Sequence, residues 1–344
     1  MTATLLAVAL DQDVERASGE GRYSAFGLVF TGPRRYLDGH CPEADPQARP
    51  ELRVEVVHHP EAHDPAAWRI LSSYSADGDP GTGRHLVRVL EHVDGSARRF
   101  ELIFGLCVEV APLQQRLRVV TPATMHPDTI GAFITGSAMV CYFKAQQRLC
   151  LHAAVVAREG SALLICGPSG AGKSSLAAAM QRQGWSVVAE DLAVVESENG
   201  GFRVRPGYGR LRLWPDSVQG LSLETECFRI ATGAEKHYLP LQHYPGFSPP
   251  LSAIVFLRER LRAAKSPLDL QPIESPANAM ALLYGNSLAP YMSVPVEVRA
   301  LLRLCQQMVV ALPSYSARLA DDWSSVDEAT RLLAAALVPG VARD

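Results

Sequence analysis

Residues 167–174 read GPSGAGKS and match the pattern G-x-x-x-x-G-K-[ST] in full. Gly167, Gly170 and Gly172 permit backbone angles that turn successive amides inward into a nest for anions. Pro168, Ser169 and Ala171 fill the remaining loop positions, and the helix expected from Lys173 onward points its positive end at the same place. In such a loop the lysine, here Lys173, reaches the β- and γ-phosphates, and the hydroxyl that follows, here Ser174, meets Mg²⁺. Ser175 adds a second hydroxyl in the first helical turn. The chemistry implied is binding of a nucleoside triphosphate, with ATP and Mg²⁺ as the expected ligands.

Glu190 and Asp191 follow Lys173 by 17 and 18 residues. One helix and one strand fit in that interval, which brings two carboxylates to the strand end beside the loop. Phosphoryl transfer has work for both. One acid holds the metal and the other orients or deprotonates the accepting hydroxyl. Asp191 is the metal candidate, with Ser174, and Glu190 is the base candidate. His152 lies 15 residues before Gly167, between Leu151 and Ala153. On its own it fits a satisfied core histidine; beside the loop, its imidazole is also suited to hydrogen-bond the catalytic acid and tune it.

These residues need a scaffold. Around the loop the pattern reads strand (161–166), loop, alanine-rich helix (174–183) ended by Gly184, then strand (186–189). Downstream, 202–215 reads as strand–turn–strand and 251–259 as a buried strand. Residues 275–290, 296–311 and 326–337 read as helices, and 314–320 as a strand. Upstream, 127–144 has helical spacing. Residues 1–125 alternate like β-strands, with clear runs at 52–59, 85–93, 98–110 and 117–122, and a loop at 75–83. The apolar stretch near the N-terminus (1–13) reads as a strand and not a signal peptide. The neighbours His58 and His59 point to opposite faces of their strand and read as structural.

The chain has 344 residues, 47% hydrophobic and 20% charged, with a net charge of −3. That suits two globular domains, a β-rich one over 1–125 and an α/β one over 126–344. No basic field suggests nucleic acid as a partner, and no stretch is long and apolar enough for a membrane helix. The seven cysteines are odd in number and scattered, which reads as buried thiols of a cytoplasmic protein.

The stretch 151–196 resembles the kinase domain of bacterial HPr kinase/phosphorylase, in LHAAVVA, GPSGAGKS and GWSVVAED. The resemblance implies the phosphoenolpyruvate-carboxykinase-like variant of the P-loop fold. It also implies roles: His152 supports the catalytic acid, Glu190 acts on a seryl hydroxyl, Asp191 binds metal, and Lys173 and Ser174 serve the nucleotide. The family's first acid is aspartate, where this chain has Glu190. Val204 in VRPGYG (204–209) stands where the family has an acid, which weighs against the reverse phosphorylase reaction.

The arrangement is more like divergent HPr-kinase-related proteins, which include kinases that tailor lasso-type precursor peptides. Those often carry a basic residue before an LPL stretch, as in EKHYLPL (235–241), so Lys236 becomes a candidate for the γ-phosphate. Arg210 and Arg212 are weaker candidates. The resemblance also implies a homo-oligomer.

The expected activity is an ATP- and Mg²⁺-dependent serine kinase acting on a peptide or small protein. Two other readings stay open. A small-molecule kinase also carries an acid on the strand after the loop helix. A nucleotide-binding switch without transfer activity is the other; a catalytically retired kinase would be expected to lose its lysine or its acids, and this chain keeps both.

Overall fold

The computed structural model describes residues 19–58, 64–74, 87–227, 235–241, 244, 246–262 and 265–337. The expected strand at 1–13, the loop at 75–83 and His59 lie outside the described residues. The chain divides into two compact units, one comprising 1–146 with 291–294 and the other 147–290 with 295–344. The expected boundary after residue 125 therefore falls too early. Packing explains why the helical segment belongs with the first unit. Phe143 meets Phe26 edge-on at 5.7 Å. Gly131 sits so close to the Tyr36 carbonyl that a Cβ there would lie 2.1 Å from it.

The first unit is built on an eight-stranded sheet. In chain order its strands are β1 (Glu20–Ala25), β2 (Leu28–Pro33), β3 (Leu52–Val57), β4 (Trp68–Tyr74), β5 (Val87–His92), β6 (Arg98–Leu102), β7 (Cys107–Ala111) and β8 (Arg116–Val120). They lie in the order β1-β2-β3-β8-β7-β6-β5-β4. A short helix α1 (Arg34–Leu37) follows β2. The helical run expected at 127–144 forms α2 (Pro127–Phe133) and α3 (Met139–Ala145), joined by a π-helical turn over Ile134–Ala138.

One sheet face carries the core, with Phe30, Phe100, Val108 and Leu117 fully buried. The other carries cross-strand ion pairs, among them Arg118–Glu55 at 3.5 Å and Arg99–Glu109 at 2.9 Å. The single strand expected over 98–110 is a hairpin, because Phe104 and Gly105 both take positive φ and reverse the chain.

The second unit carries the loop. Its strands are β9 (Leu149–Leu151), β10 (Ala153–Arg158), β11 (Ser161–Cys166), β12 (Ser186–Ala189), β13 (Ala193–Glu198), β14 (Gly201–Val204), β15 (Arg210–Leu213), β16 (His237–Pro240), β17 (Leu251–Leu257), β18 (Leu268–Pro272) and β19 (Ser314–Leu319). Its helices are α4 (Lys173–Arg182), α5 (Pro215–Gly220), α6 (Pro276–Gly285), α7 (Pro295–Ala311) and α8 (Val326–Leu337).

The central sheet has the order β12-β10-β11-β17-β19-β18. Strands β11, β17 and β19 are parallel neighbours. The residues of β11 and β17 are almost continuously buried, since helices cover both faces. Leu176, Ala177 and Met180 of α4 pack on one face with Leu333 of α8; Leu283 of α6 and Leu301, Cys305 and Met308 of α7 cover the other.

Strand partners depart from the local pattern in two places. The segment 148–157 forms two strands. It breaks at His152, with β9 pairing to β13 in a small sheet and β10 joining the central one. Likewise β14 and β15 do not pair with each other; β14 pairs with β13 and β15 with β16. In both cases alternation identified strands but not partners, because partners come from elsewhere in the chain.

Among the described residues no helix is long and apolar enough to cross a membrane. All seven cysteines are free thiols and all but Cys227 are buried. Burial pushes the thiols of Cys107 and Cys166 up to about 12.

Candidate active site

Strand β11 delivers the loop and α4 receives it. Gly167, Gly170 and Gly172 take φ of +149°, +81° and +99°, a region that disfavours residues with a Cβ. At Gly167 a Cβ would also lie 2.7 Å from the Leu257 carbonyl of β17, so side chains are excluded twice over. Ala171 is buried and donates its N–H to the Pro168 carbonyl at 3.2 Å, which closes the loop's own turn. Lys173 is only 6% exposed, and its Nζ donates to the carbonyls of Gly167 (2.8 Å) and Pro168 (3.0 Å). Burial lowers the pKa of its ammonium group.

The loop borders a cavity of about 300 Å³. Ser169, Gly170, Gly172, Lys173, Ser174 and Ser175 form one wall. His152, Asp191, Arg212, Trp214 and Lys236 are among the residues facing it. Pro168 borders a separate groove. Of the expected site residues, Gly167, Ala171 and Glu190 sit behind the cavity wall. Ser175 lines the cavity, but its hydroxyl is 2.9 Å from the buried Ser217 hydroxyl, so its first partner is structural. The ammonium of Lys236 lies 5.2 Å from the centre of the Trp214 ring, a cation–π arrangement at the rim.

The acids end β12, as expected. That strand is an edge, antiparallel to β10, and β10 is antiparallel to β11. Two reversals make β12 run in the same sense as β11, so both strands finish on the loop side.

The pairings within the site are the reverse of those expected. Ser174 Oγ donates to Glu190 Oε1 at 2.6 Å, and His152 Nε2 lies 3.5 Å from Asp191 Oδ1. The cause is local backbone. Asp191 takes φ +61° in the left-handed region, which turns its side chain out into the cavity and leaves Glu190 3% exposed. Sequence spacing cannot show this, since either residue of an adjacent pair can occupy either position.

Their environments diverge accordingly. Burial, reinforced by the negative charge of Asp191, raises the carboxyl of Glu190 to about 8. Among the described residues its Oε2 has no hydrogen-bond partner. The carboxyl of Asp191 is held well below the usual range despite its burial, chiefly by the hydrogen bond with His152 and the charges of Arg212 and Lys236. Arg212 donates from Nε to Asp191 Oδ2 at 2.8 Å, and its terminal nitrogen binds the same oxygen.

The antiparallel pair β15–β16 supplies Arg212, and it is held against the acids by the turn that precedes β15. Gly207 donates its N–H to Val188 O at 2.7 Å, and a Cβ there would lie 3.3 Å from the Cα of Ala189. Of the two weak arginine candidates, Arg212 reaches the cavity. Arg210 is buried between the rings of Tyr208 (5.0 Å) and Tyr238 (4.2 Å).

Asn286 was not legible as a site residue. It caps α6, accepts the Gly167 N–H on Oδ1 at 2.9 Å, and accepts the His152 N–H on its backbone carbonyl at 2.8 Å. One residue thus positions both the first loop glycine and the histidine. No local signal marks it, because it lies 119 residues from Gly167. Asn286→Ala leaves the Gly167 N–H without its partner, which costs about 1–3 kcal/mol. The expected result is a lower denaturation midpoint and weaker nucleotide binding together, read from a urea titration and an ATP titration of the same protein.

A metal would find hard oxygen donors here. Among the described residues no group of three or more His, Cys, Asp or Glu side chains forms a complete protein cage. Mg²⁺ usually takes one or two protein oxygens and completes its shell with phosphates and water. The Ser174 hydroxyl and the Glu190 carboxylate, with its unpartnered buried Oε2, fit that ion.

Comparisons with known proteins give the chain a setting. A family model described as ScmC, SynChlorMet cassette protein ScmC, matches residues 123–212, a stretch that includes His152, the loop, both acids and Arg212. No curated protein matches the chain. Among solved structures the chain is similar to the HPr(Ser) kinase/phosphatase from Coxiella burnetii, at 12% identity and a TM-score of 0.28, over 54% of this chain and 97% of that one.

Proposed function

We propose that the protein is an ATP- and Mg²⁺-dependent kinase that moves the γ-phosphoryl group to a seryl hydroxyl of a peptide or small protein. The observation that carries this reading is one cavity in which the phosphate loop faces Asp191, a carboxylate clamped between Arg212 and His152.

The geometry favours an exchange of the two acids' expected roles. Glu190, against Ser174, is the metal-side acid, and Asp191, on the cavity surface, is the acid that meets the acceptor. The metal, when bound, neutralises charge on the phosphates. The chain's own residues do the rest. Loop amides and Lys173 hold the triphosphate. Asp191 Oδ1 accepts the hydrogen bond of the acceptor hydroxyl and orients its oxygen toward the γ-phosphorus. As the new P–O bond forms and the bond from the γ-phosphorus to the β–γ bridging oxygen breaks, the hydroxyl proton is lost along the hydrogen bond to Asp191 and on to solvent, and ADP leaves. Arg212 and His152 keep the carboxylate ionised and aimed. Lys173, with Arg212 and Lys236 on the facing wall, offsets the charge spread over the transferring group.

The test is incubation with γ-labelled ATP, Mg²⁺ and candidate acceptor peptides. Label on a peptide serine supports the proposal. Label on a small metabolite instead supports a small-molecule kinase, and nucleotide binding without transfer supports a switch protein.

A further inference from the structure

A triphosphate in the loop leaves the nucleoside unaccounted for. The loop amides cradle the α- and β-phosphates while the lysine reaches the γ end. The nucleoside must therefore leave from the amide side, by Gly172 and the first turn of α4, away from the Lys173 ammonium. The side chain standing there is Arg260, from the segment just after β17. Its terminal nitrogen would lie 3.1 Å from a Cβ on Gly172, which makes it the nearest group to that face of the loop. Arg260 lines the main cavity, and together with Gly172, Ser175 and Trp323 it lines a small adjoining crevice.

The guanidinium is mounted on a rigid base. It lies over the Trp323 ring at 4.8 Å and is paired with Asp321 at 3.6 Å. The indole itself is locked, because Gly220 approaches so closely that a Cβ would lie 2.3 Å from Cδ2. A flat cation backed by a fixed indole, on the nucleoside side of a phosphate loop, is a stacking platform for a base. No sequence motif marks it, since Gly172, Gly220, Arg260 and Trp323 come from four separate segments.

We infer that Arg260, held by Trp323 and Asp321, is the platform on which the adenine ring of ATP stacks. This rests on the nucleotide-binding reading above and adds the residue that tells a nucleoside triphosphate from bare polyphosphate.

The experiment is calorimetric titration of the full chain with Mg²⁺-ATP and, separately, with Mg²⁺-tripolyphosphate, alongside the tryptophan emission of the same samples. In Arg260→Ala the Kd for ATP is expected to rise about tenfold, the size of a lost base-stacking contact. The Kd for tripolyphosphate is expected to stay within about twofold of wild type. Arg260→Lys keeps the charge but not the flat guanidinium, and is expected to behave like Arg260→Ala. Trp323 emission is expected to respond to ATP and not to tripolyphosphate, and Trp323→Phe should remove that response.

Equal weakening of both ligands in Arg260→Ala would mean a phosphate contact and would overturn the inference. An unchanged ATP affinity, or full rescue by lysine, would overturn it too. If wild type binds neither ligand, the nucleotide-binding reading falls and this inference falls with it.

Discussion

Lys173→Ala is expected to lower phosphoryl transfer by at least about 10³-fold, equivalent to about 4 kcal/mol of transition-state stabilisation. The ammonium is nearly enclosed and sits on two loop carbonyls, so its position is set before any phosphate arrives. Preorganised charge of this kind requires no rearrangement during the reaction, which is why its removal is so costly. Lys173→Arg is not expected to rescue. The wider planar guanidinium does not fit a pocket closed by Gly167 and Pro168. Label transfer from γ-labelled ATP measures the loss, and an unchanged thermal midpoint separates it from unfolding. Transfer within tenfold of wild type would remove Lys173 from the mechanism.

The second large effect distinguishes the two acids. Asp191→Asn is expected to reduce transfer by about 10²–10⁴-fold, the range for loss of a positioned general base. ATP affinity should change by no more than about threefold, because the loop amides and Lys173 are untouched. Glu190→Gln should act differently. It removes the carboxyl oxygen that would ligate the metal beside Ser174 and is expected to raise the Mg²⁺ concentration needed for half-maximal activity about 10–100-fold. Saturating Mg²⁺ should restore much of its transfer activity. Initial rates across a Mg²⁺ series check both variants. If Glu190→Gln stays inactive at high Mg²⁺ while Asp191→Asn recovers there, the exchange of roles is wrong and the assignment expected from sequence stands.

The elements that bear the site were legible to the extent that each was local. The loop could be read because glycine spacing, lysine and hydroxyl lie within eight residues, and the flanking strand and helix have distinct periodicities. The helix at 173–182 and the strand at 186–189 follow from the same patterns. What alternation did not supply was partnership. The strand run through His152 breaks between two sheets, and the hairpin expected at 202–215 dissolves into two strands with other partners. Only a folded chain decides which edges meet. The domain boundary slipped for a related reason. A helical pattern says that a face must be buried, and not which unit will bury it.

The site shows the same division. Sequence alone determined which groups are present: a glycine-rich loop, one lysine, two adjacent acids and a histidine at spacings that bring them to one end of a sheet. Tertiary structure decided which acid faces which partner, through one left-handed residue at Asp191. It also recruited Arg212 from β15, Asn286 from the end of α6 and Arg260 from beyond β17. Motif residues are close in sequence because neighbouring amides must converge on one phosphate. The groups that orient an acid or fix a glycine act through space, and any segment that the fold brings near can supply them.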